Sequence, residues 1–180
     1  MKLTNRDIEI INFIEKNKGA TIEQLQKLFF PGYRVAANRL KILNDNKFIK
    51  VQVHPILGKK VYYIKKIPSY HSLIINDVAI LLKDKLDFMQ REYKIKNNQV
   101  DCIFILKGGK IIILEVDIFN RTKDKKINEI TSILDDKKAK FEFWIITKHE
   151  VREKNKKEKI KYIGVNEINE KNKTIFNIVL

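Results

Sequence analysis

The sequence TIEQLQKLFFPGYRVAANRLKIL, residues 21–43, decides the fold of the first part of the chain. Thr21 is a favourable N-cap, and apolar side chains follow it at helical spacing as far as Phe29. The Pro-Gly pair at residues 31–32 then ends this helix, because proline lacks an amide proton and glycine accepts unusual dihedral angles. Apolar residues recur at helical spacing over residues 33–43. The stretch therefore predicts two helices joined by a tight turn.

The segments on either side of this helix pair complete a recognisable order of elements. Thr4 and Asp7 resemble a capping box that opens an earlier helix. After the pair, the apolar period changes to the alternation of β-strands over residues 48–54 and resumes over residues 61–64, which indicates a two-stranded ribbon. Three helices and a ribbon in this order are typical of the winged helix-turn-helix, whose third helix enters the DNA major groove. We predict such a domain over residues 1–67.

The rest of the chain, residues 68–180, has a mixed α/β pattern that begins after Pro68 and Ser69. The predicted fold class is therefore α+β, with a winged helix-turn-helix followed by a small α/β domain. In this second domain we predict helices over residues 73–88, 123–138 and 148–159, and strands over residues 100–106, 110–116, 141–147, 161–165 and 174–180.

The charge balance narrows the class of partner. The 180 residues contain 37 Lys and Arg against 22 Asp and Glu, a net charge of +15, and residues 1–66 alone hold 14 against 5. Such a basic chain predicts a polyanionic partner, either nucleic acid or a membrane surface. No apolar run approaches the roughly 20 residues that span a bilayer, and the opening residues lack an apolar signal-peptide core. We therefore expect a cytoplasmic protein that binds double-stranded DNA.

Metal and disulfide chemistry based on cysteine or histidine is not indicated. Cys102 is the only cysteine, so the chain can form neither an internal disulfide nor a cysteine-based zinc cluster. His54, His71 and His149 show no spacing typical of metal ligands. We expect structural or incidental roles for all three.

The third predicted helix supplies candidates for DNA contact. Arg34, Asn38 and Lys41 fall opposite its apolar side, and Tyr33 lies near its start. Arginine suits guanine, asparagine suits adenine, and lysine suits phosphate. The alternative is that these side chains only solvate the helix surface.

Three more basic residues are candidates for contact with DNA. Lys59 and Lys60, in the turn of the ribbon, suit the phosphate backbone. Arg39 falls inside the apolar arc of the third helix, so its guanidinium could reach either an acidic partner or a phosphate. Both roles of Arg39 remain open.

The second predicted domain contains three acidic residues that a hairpin would bring together. Asp101 begins one strand and Glu115 ends the next, with Asp117 two positions later on the same face. Such carboxylates could hold a Mg²⁺ ion that activates water for phosphodiester hydrolysis. The alternative is that they cap strands or pair with nearby lysines.

The strand and helix order around these acids resembles the core of PD-(D/E)XK nucleases. That pattern has a lysine two positions after the second acid, where this chain has Asp117. Arg121, Lys123 or Lys125 could take the place of this lysine. The resemblance implies DNA hydrolysis, and the departure from the motif weakens that implication.

Several short stretches are similar to the replication-relaxation family of plasmid and mobile-element proteins. In the predicted N-terminal domain these are LTNRDIEI at 3–10, QLQKLFFP at 24–31 and RLKIL at 39–43. Farther along, the stretch at 71–77 resembles the interdomain helix of the family. The stretch LEVD at 114–117, with Arg-Thr at 121–122, resembles an acidic motif in which Arg directly follows Asp. The resemblance implies association with plasmid DNA in replication control, relaxation or transfer.

Three functions follow from these observations. We favour a DNA-binding protein that recognises a replication or transfer origin and needs no catalysis, with Mg²⁺ as the one candidate cofactor of the chain. Its second domain would then serve dimerisation, further DNA contact, or recruitment of a relaxase or replication initiator. The alternatives are a Mg²⁺-dependent endonuclease or nickase that the first domain delivers to DNA, and a transcription repressor with a ligand-sensing second domain.

Overall fold

The computed structural model describes residues 1–148 and 158–169, and the chain divides into two compact units, Met1–Ile80 and Leu81–Leu180. The strand predicted over 174–180 and nearly all of the helix predicted over 148–159 lie outside the described residues. The units divide later than residue 67, the boundary predicted from the sequence.

The first unit contains short helices and a small antiparallel sheet of strand order β1-β3-β2. Its elements are α1 Asn5–Lys16, β1 Ala20–Thr21, α2 Ile22–Phe29, α3 Tyr33–Asp45, β2 Lys50–Val53, β3 Lys60–Tyr63 and α4 Tyr70–Leu82, whose last two residues belong to the second unit. The predicted order of three helices and two strands is confirmed. The two-residue strand β1, which pairs with β3, was not predicted.

Local capping explains where α1 and α2 begin. The hydroxyl of Thr4 accepts a hydrogen bond from the Asp7 amide, and the Asp7 carboxylate accepts one from the Thr4 amide. Thr21 and Gln24 form the same reciprocal pair at the start of α2. Both helix starts predicted from threonine are therefore confirmed, since each cap satisfies amides that have no partner within the helix.

The helix α4 belongs mainly to the first unit because polar groups fix it there. The side-chain amide of Asn76 donates to the Gly19 carbonyl at 2.8 Å, and that of Gln24 donates to the Leu73 carbonyl at 2.7 Å. Asn76 is fully buried. These long-range bonds explain why the unit extends beyond residue 67.

The carboxylate of Asp7 is fully buried in the first unit and also connects α1 with α3. The Nε of Arg39 donates to Asp7 Oδ1 at 2.7 Å, and Arg39 Nη2 donates to Oδ2. These bonds with the Arg39 guanidinium hold the pKa of Asp7 well below its ordinary range. Of the two roles left open for Arg39, the structure shows the acidic partner.

The second unit is built on a five-stranded mixed sheet of order β4-β5-β6-β7-β8. Strand β5 runs antiparallel to both β4 and β6, whereas β6, β7 and β8 run parallel to one another. The elements are β4 Leu86–Ile95, β5 Asn98–Leu106, β6 Ile111–Asp117, α5 Asp124–Asp136, β7 Phe141–Thr147, β8 Ile160–Gly164 and α6 Val165–Asn169. The mixed α+β fold class is confirmed.

One prediction in this unit was wrong. The helix predicted over residues 73–88 ends at Leu82, and Leu86–Ile95 is an edge strand that the sequence analysis missed. Its polar side chains give no continuous apolar run, and it pairs antiparallel with β5, the next strand along the chain. Backbone pairing within this hairpin therefore decides the structure of the segment.

Helix α5 covers one face of the sheet. Its buried residues Ile127 and Ile130 lie in one core cluster with Ile113 of β6 and Phe143 and Ile145 of β7. Because side chains alternate along a strand, Glu115 and Asp117 share the face of Ile113. This packing places the acidic end of β6 beside the start of α5. None of the helices within 1–148 and 158–169 is long and apolar enough to cross a bilayer.

We predict that Arg39→Met lowers the unfolding free energy of the first unit by roughly 2–3 kcal/mol, because it leaves the Asp7 carboxylate buried without its cation. Since folding lowers the pKa of Asp7, the stabilisation is complete above roughly pH 4 and is lost as the pH falls. The variant should therefore show a weaker loss of stability in acid. Thermal unfolding followed by circular dichroism between pH 3 and 7 measures both effects.

Lys65→Met is the matched control, because Lys65 pairs with Glu15 at 3.4 Å on the exposed surface. Its effect should stay within about 0.5 kcal/mol. Equal effects of the two substitutions would contradict the role assigned to Arg39.

Candidate nucleic-acid interface and carboxylate cluster

Helix α3 presents one buried side and one exposed side. Ala36, Leu40 and Leu43 are fully buried. The predicted contact residues Tyr33, Arg34, Asn38 and Lys41 are all exposed. Because the first unit holds α3 by its apolar side, the exposed polar side is accessible to a partner.

The turn between β2 and β3 carries the other predicted phosphate contacts. Lys59 and Lys60 are exposed, and Lys59 Nζ lies 3.2 Å from Glu23 Oε1 of α2. His54 shapes this turn, since its Nδ1 accepts from the amides of Ile56 and Leu57, and its Nε2 lies 3.1 Å from the Pro68 carbonyl. His54 therefore has the structural role that the sequence analysis expected.

The three predicted acidic residues meet where β6 ends. The carboxylate of Asp101 accepts a hydrogen bond from the Val116 amide at 2.8 Å, which fixes Asp101 beside the end of β6. Glu115 and Asp117 are both buried. The sheet therefore gathers all three at the carboxyl end of β6, an edge where open α/β sheets commonly bind ligands.

Thr122 links two of these carboxylates. Its hydroxyl oxygen lies 2.7 Å from Asp117 Oδ1 and 3.2 Å from Glu115 Oε2, and its amide donates to Asp117 Oδ2 at 2.8 Å. One hydroxyl proton thus serves two acids. We name the set Asp101, Glu115, Asp117, Thr122 and Lys126 the carboxylate cluster.

Lys126 is the cationic member of the carboxylate cluster, and the sequence analysis missed it. Its Nζ lies 2.6 Å from Glu115 Oε1, and its side chain is 26% exposed. Arg121, Lys123 and Lys125, the lysine replacements considered from the sequence, are all exposed. Helical spacing could have identified Lys126, because it lies four positions before buried Ile130 and therefore faces the sheet.

Electrostatics in the cluster differ from those around Asp7. Burial raises the pKa of the Glu115 carboxyl, and the charge of Asp101 raises it further, while Lys126 and Thr122 act against both. Burial also raises the pKa of Tyr162 on β8, with contributions from Asp124 and Asp117. Tyr162 is thus a further neighbour of the site that the sequence did not reveal.

The carboxylate cluster as it stands does not form a metal-binding set. Across residues 1–148 and 158–169, no three or more His, Cys, Asp and Glu side chains are grouped so that they could hold an ion. The oxygens of Asp101, Glu115 and Asp117 are engaged by Val116, Lys126 and Thr122 instead. This is the lysine pairing that the sequence analysis gave as the alternative to Mg²⁺ binding.

Comparisons with known proteins give limited similarity. No protein-family model matches the chain, and no curated protein matches it. The resemblance to the replication-relaxation family therefore stays a prediction.

Solved structures similar to this chain include a repair endonuclease from Pyrococcus abyssi, with 13% identity, a TM-score of 0.39 and coverage of 59% of this chain and 52% of that one. Protein VC1899 from Vibrio cholerae has 12% identity and a TM-score of 0.43, and the match covers 95% of this chain and 50% of that protein. An EndoMS–dsDNA2 complex has 12% identity and a TM-score of 0.34, and the match covers 64% of this chain and 63% of that one. The chain thus spans between half and two thirds of the length of these proteins.

We predict that Lys126→Met raises the pKa of Glu115 further, because the buried carboxylate loses its cation. The folded state then holds the Glu115 proton more tightly than the unfolded state does. Ionisation of Glu115 therefore costs the variant more stability above this pKa, and the cost disappears as the pH falls below the ordinary range of glutamate. Carboxyl ¹³C chemical shifts of the glutamate side chains, followed against pH, measure the change.

Lys125→Met is the control, since the adjacent Lys125 side chain is 87% exposed and lies 3.9 Å from Glu129. It should leave the pKa of Glu115 as it is in the wild-type protein. Identical titrations in both variants would contradict the Lys126–Glu115 pair.

Proposed function

We propose that the protein binds double-stranded DNA through its first unit, acting as a winged helix-turn-helix module. The observation that carries this proposal is the exposed side of α3, where Arg34, Asn38 and Lys41 lie opposite buried Leu40 and Leu43. Arginine and asparagine can each make two hydrogen bonds to a purine edge in the major groove. A helix fixed by its apolar side can present such groups without rearrangement.

The element order and the charge support the same proposal. Three helices followed by the antiparallel β2–β3 hairpin match the arrangement in which the third helix enters the groove and a hairpin flanks it. Lys59 at the end of the hairpin turn and Lys60 at the start of β3 are both exposed, and phosphate contact there would orient the module. The excess of basic residues over 1–66 would favour any duplex and so supply affinity without sequence preference.

Arg39 takes a different role in this proposal. Its guanidinium is bound to buried Asp7, so it positions α3 and does not contact DNA. The reading residues are therefore Arg34 and Asn38, with Lys41, Lys59 and Lys60 on the backbone and Tyr33 at the start of α3.

For the biological setting we propose a replication or transfer origin of a plasmid or mobile element. This finer proposal rests on the short stretches that resemble the replication-relaxation family. A relaxase or replication initiator, or a second copy of this chain, would be the partner in that setting. The site of action would be the cytoplasm.

We predict that Arg34→Ala with Asn38→Ala removes the preference for one duplex sequence, at a cost of about 1–3 kcal/mol per lost base contact. Lys59→Ala with Lys60→Ala should instead weaken all duplexes similarly and reduce the salt slope of binding by about 2. The probes are duplexes selected by the protein from a random-sequence pool, compared with scrambled duplexes by fluorescence anisotropy at several salt concentrations.

Lys16→Ala, at an exposed position near the end of α1, is the control and should change neither quantity beyond the loss of one general charge. An unchanged preference in the Arg34 and Asn38 variant would remove the proposal that α3 reads the sequence. Folding of each variant is checked by its melting temperature.

A second candidate function is phosphodiester cleavage at the carboxylate cluster. The observation that favours it is the convergence of Asp101 and Glu115 with Lys126, since a lysine ammonium beside paired acids could stabilise a charged phosphate. In this proposal the lysine comes from α5 and not from the position of Asp117. No step through a metal ion follows from the arrangement described above.

The second candidate predicts nicking of supercoiled plasmid by the purified chain, tested with and without added Mg²⁺ or Mn²⁺. Glu115→Gln should abolish the nicking, and Lys125→Met should preserve it. Nicking that survives Glu115→Gln would identify a contaminating nuclease. A chain that binds duplex DNA but never nicks it would leave DNA binding as the function.

A further inference from the structure

Two large apolar side chains on α3 point away from the core. Val35 is 48% exposed and Ile42 is 40% exposed, although Ala36, Leu40 and Leu43 of the same helix are fully buried. These two residues lie seven positions apart, about two turns, on the same side of α3. Exposed apolar side chains aligned on one side of a helix are candidates for a binding surface.

Helix geometry arranges these two residues around Asn38. Positions 35, 38 and 42 follow the spacing of three and four that places side chains on one strip of a helix. At about 100° per residue, Asn38 lies between Val35 and Ile42 on one flank and Arg34 and Lys41 on the other. The exposed side of α3 therefore has an apolar flank, a central amide and a basic flank.

We propose that this strip reads A·T base pairs, with Asn38 on adenine and the methyl groups of Val35 and Ile42 against thymine C5-methyl groups. An A·T pair displays in the major groove the adenine N6 and N7 atoms, which asparagine can bind with two hydrogen bonds, and the thymine methyl group. The inference rests on the proposed function and deepens it, because it names the class of sequence that the module recognises.

The dimensions of the strip agree with such a site. Seven residues separate Val35 from Ile42, a rise of about 10 Å along α3. Successive bases lie about 3.4 Å apart along the duplex axis, so the strip covers roughly three base pairs. Arg34 and Lys41 on the other flank can then meet the phosphates at the groove edge.

The surrounding charge favours DNA over a second copy of this chain as the occupant. Arg34 and Lys41 border the apolar flank, and Lys59 and Lys60 add exposed cations in the same unit. A second copy of this chain would bring the same positive charges to the surface, and like charges facing each other are unfavourable. The phosphate backbone of a duplex neutralises them.

Replacement of thymidine by 2′-deoxyuridine tests the inference directly, because it removes the C5-methyl group and keeps the base-pairing edge. The probes are duplexes selected from a random-sequence pool, with each thymidine of the selected site replaced. The wild-type protein should bind the deoxyuridine duplex about tenfold more weakly, as expected for the loss of two buried methyl contacts. The variant Val35→Ala with Ile42→Ala should bind both duplexes equally.

Ile8→Ala is the matched control, since Ile8 of α1 is similarly exposed at 47% but lies outside α3. It should keep the wild-type difference between the two duplexes. Replacement of thymidines only outside the selected site should leave wild-type binding unchanged, which excludes a general effect on DNA stiffness.

The two levels of the proposal fail in different ways. If selection enriches a sequence but wild-type protein binds the thymidine and deoxyuridine duplexes equally, the inference about Val35 and Ile42 is overturned and DNA reading by α3 stands. If selection enriches no sequence, sequence reading by α3 and this inference are both removed. If the alanine variant loses only self-association, measured by sedimentation, a second copy of the chain is the occupant and the inference is overturned.

Discussion

A carboxylate buried in a protein interior is costly unless hydrogen bonds or a cation compensate for its lost hydration. Both units of this protein contain buried carboxylates that a basic side chain contacts. Asp7 in the first unit is fully buried, and Glu115 in the second is 5% exposed. Each meets a basic side chain from a helix, Arg39 of α3 or Lys126 of α5. The two pairs position the elements that carry the candidate functions.

The two carboxylates differ in how completely they are compensated. Asp7 accepts from the amide and hydroxyl of Thr4 and from two nitrogens of Arg39, and its pKa is lowered. Glu115 has Lys126 and a share of the Thr122 hydroxyl, while the charge of Asp101 opposes its ionisation, and its pKa is raised. The Asp7–Arg39 pair therefore stabilises the ionised form of its acid, whereas the cost of burial outweighs the contact with Lys126 at Glu115.

The features that could be predicted from the sequence are those that local interactions determine. Both N-caps, at Thr4 and Thr21, were recognisable because a capping threonine and its partner lie three residues apart. Strand β4 was missed because its polar side chains give no continuous apolar run, although its partner β5 follows it directly after a two-residue turn. Lys126 was missed because its contact with Glu115 depends on which side of α5 faces the sheet. Closeness to Asp117 along the sequence does not reveal this. The two omissions therefore have different causes: a strand without an apolar pattern, and a contact between a helix and a sheet.

The surroundings of Glu115 do not compensate its charge in the way that Arg39 and Thr4 compensate the charge of Asp7. The second unit instead keeps Asp101 beside Glu115 and lets two acids share the hydroxyl of Thr122, although many lysines are available in the chain. The proposed cleavage at the carboxylate cluster depends on these opposing charges, since a change in any one of them alters the charge that the others meet.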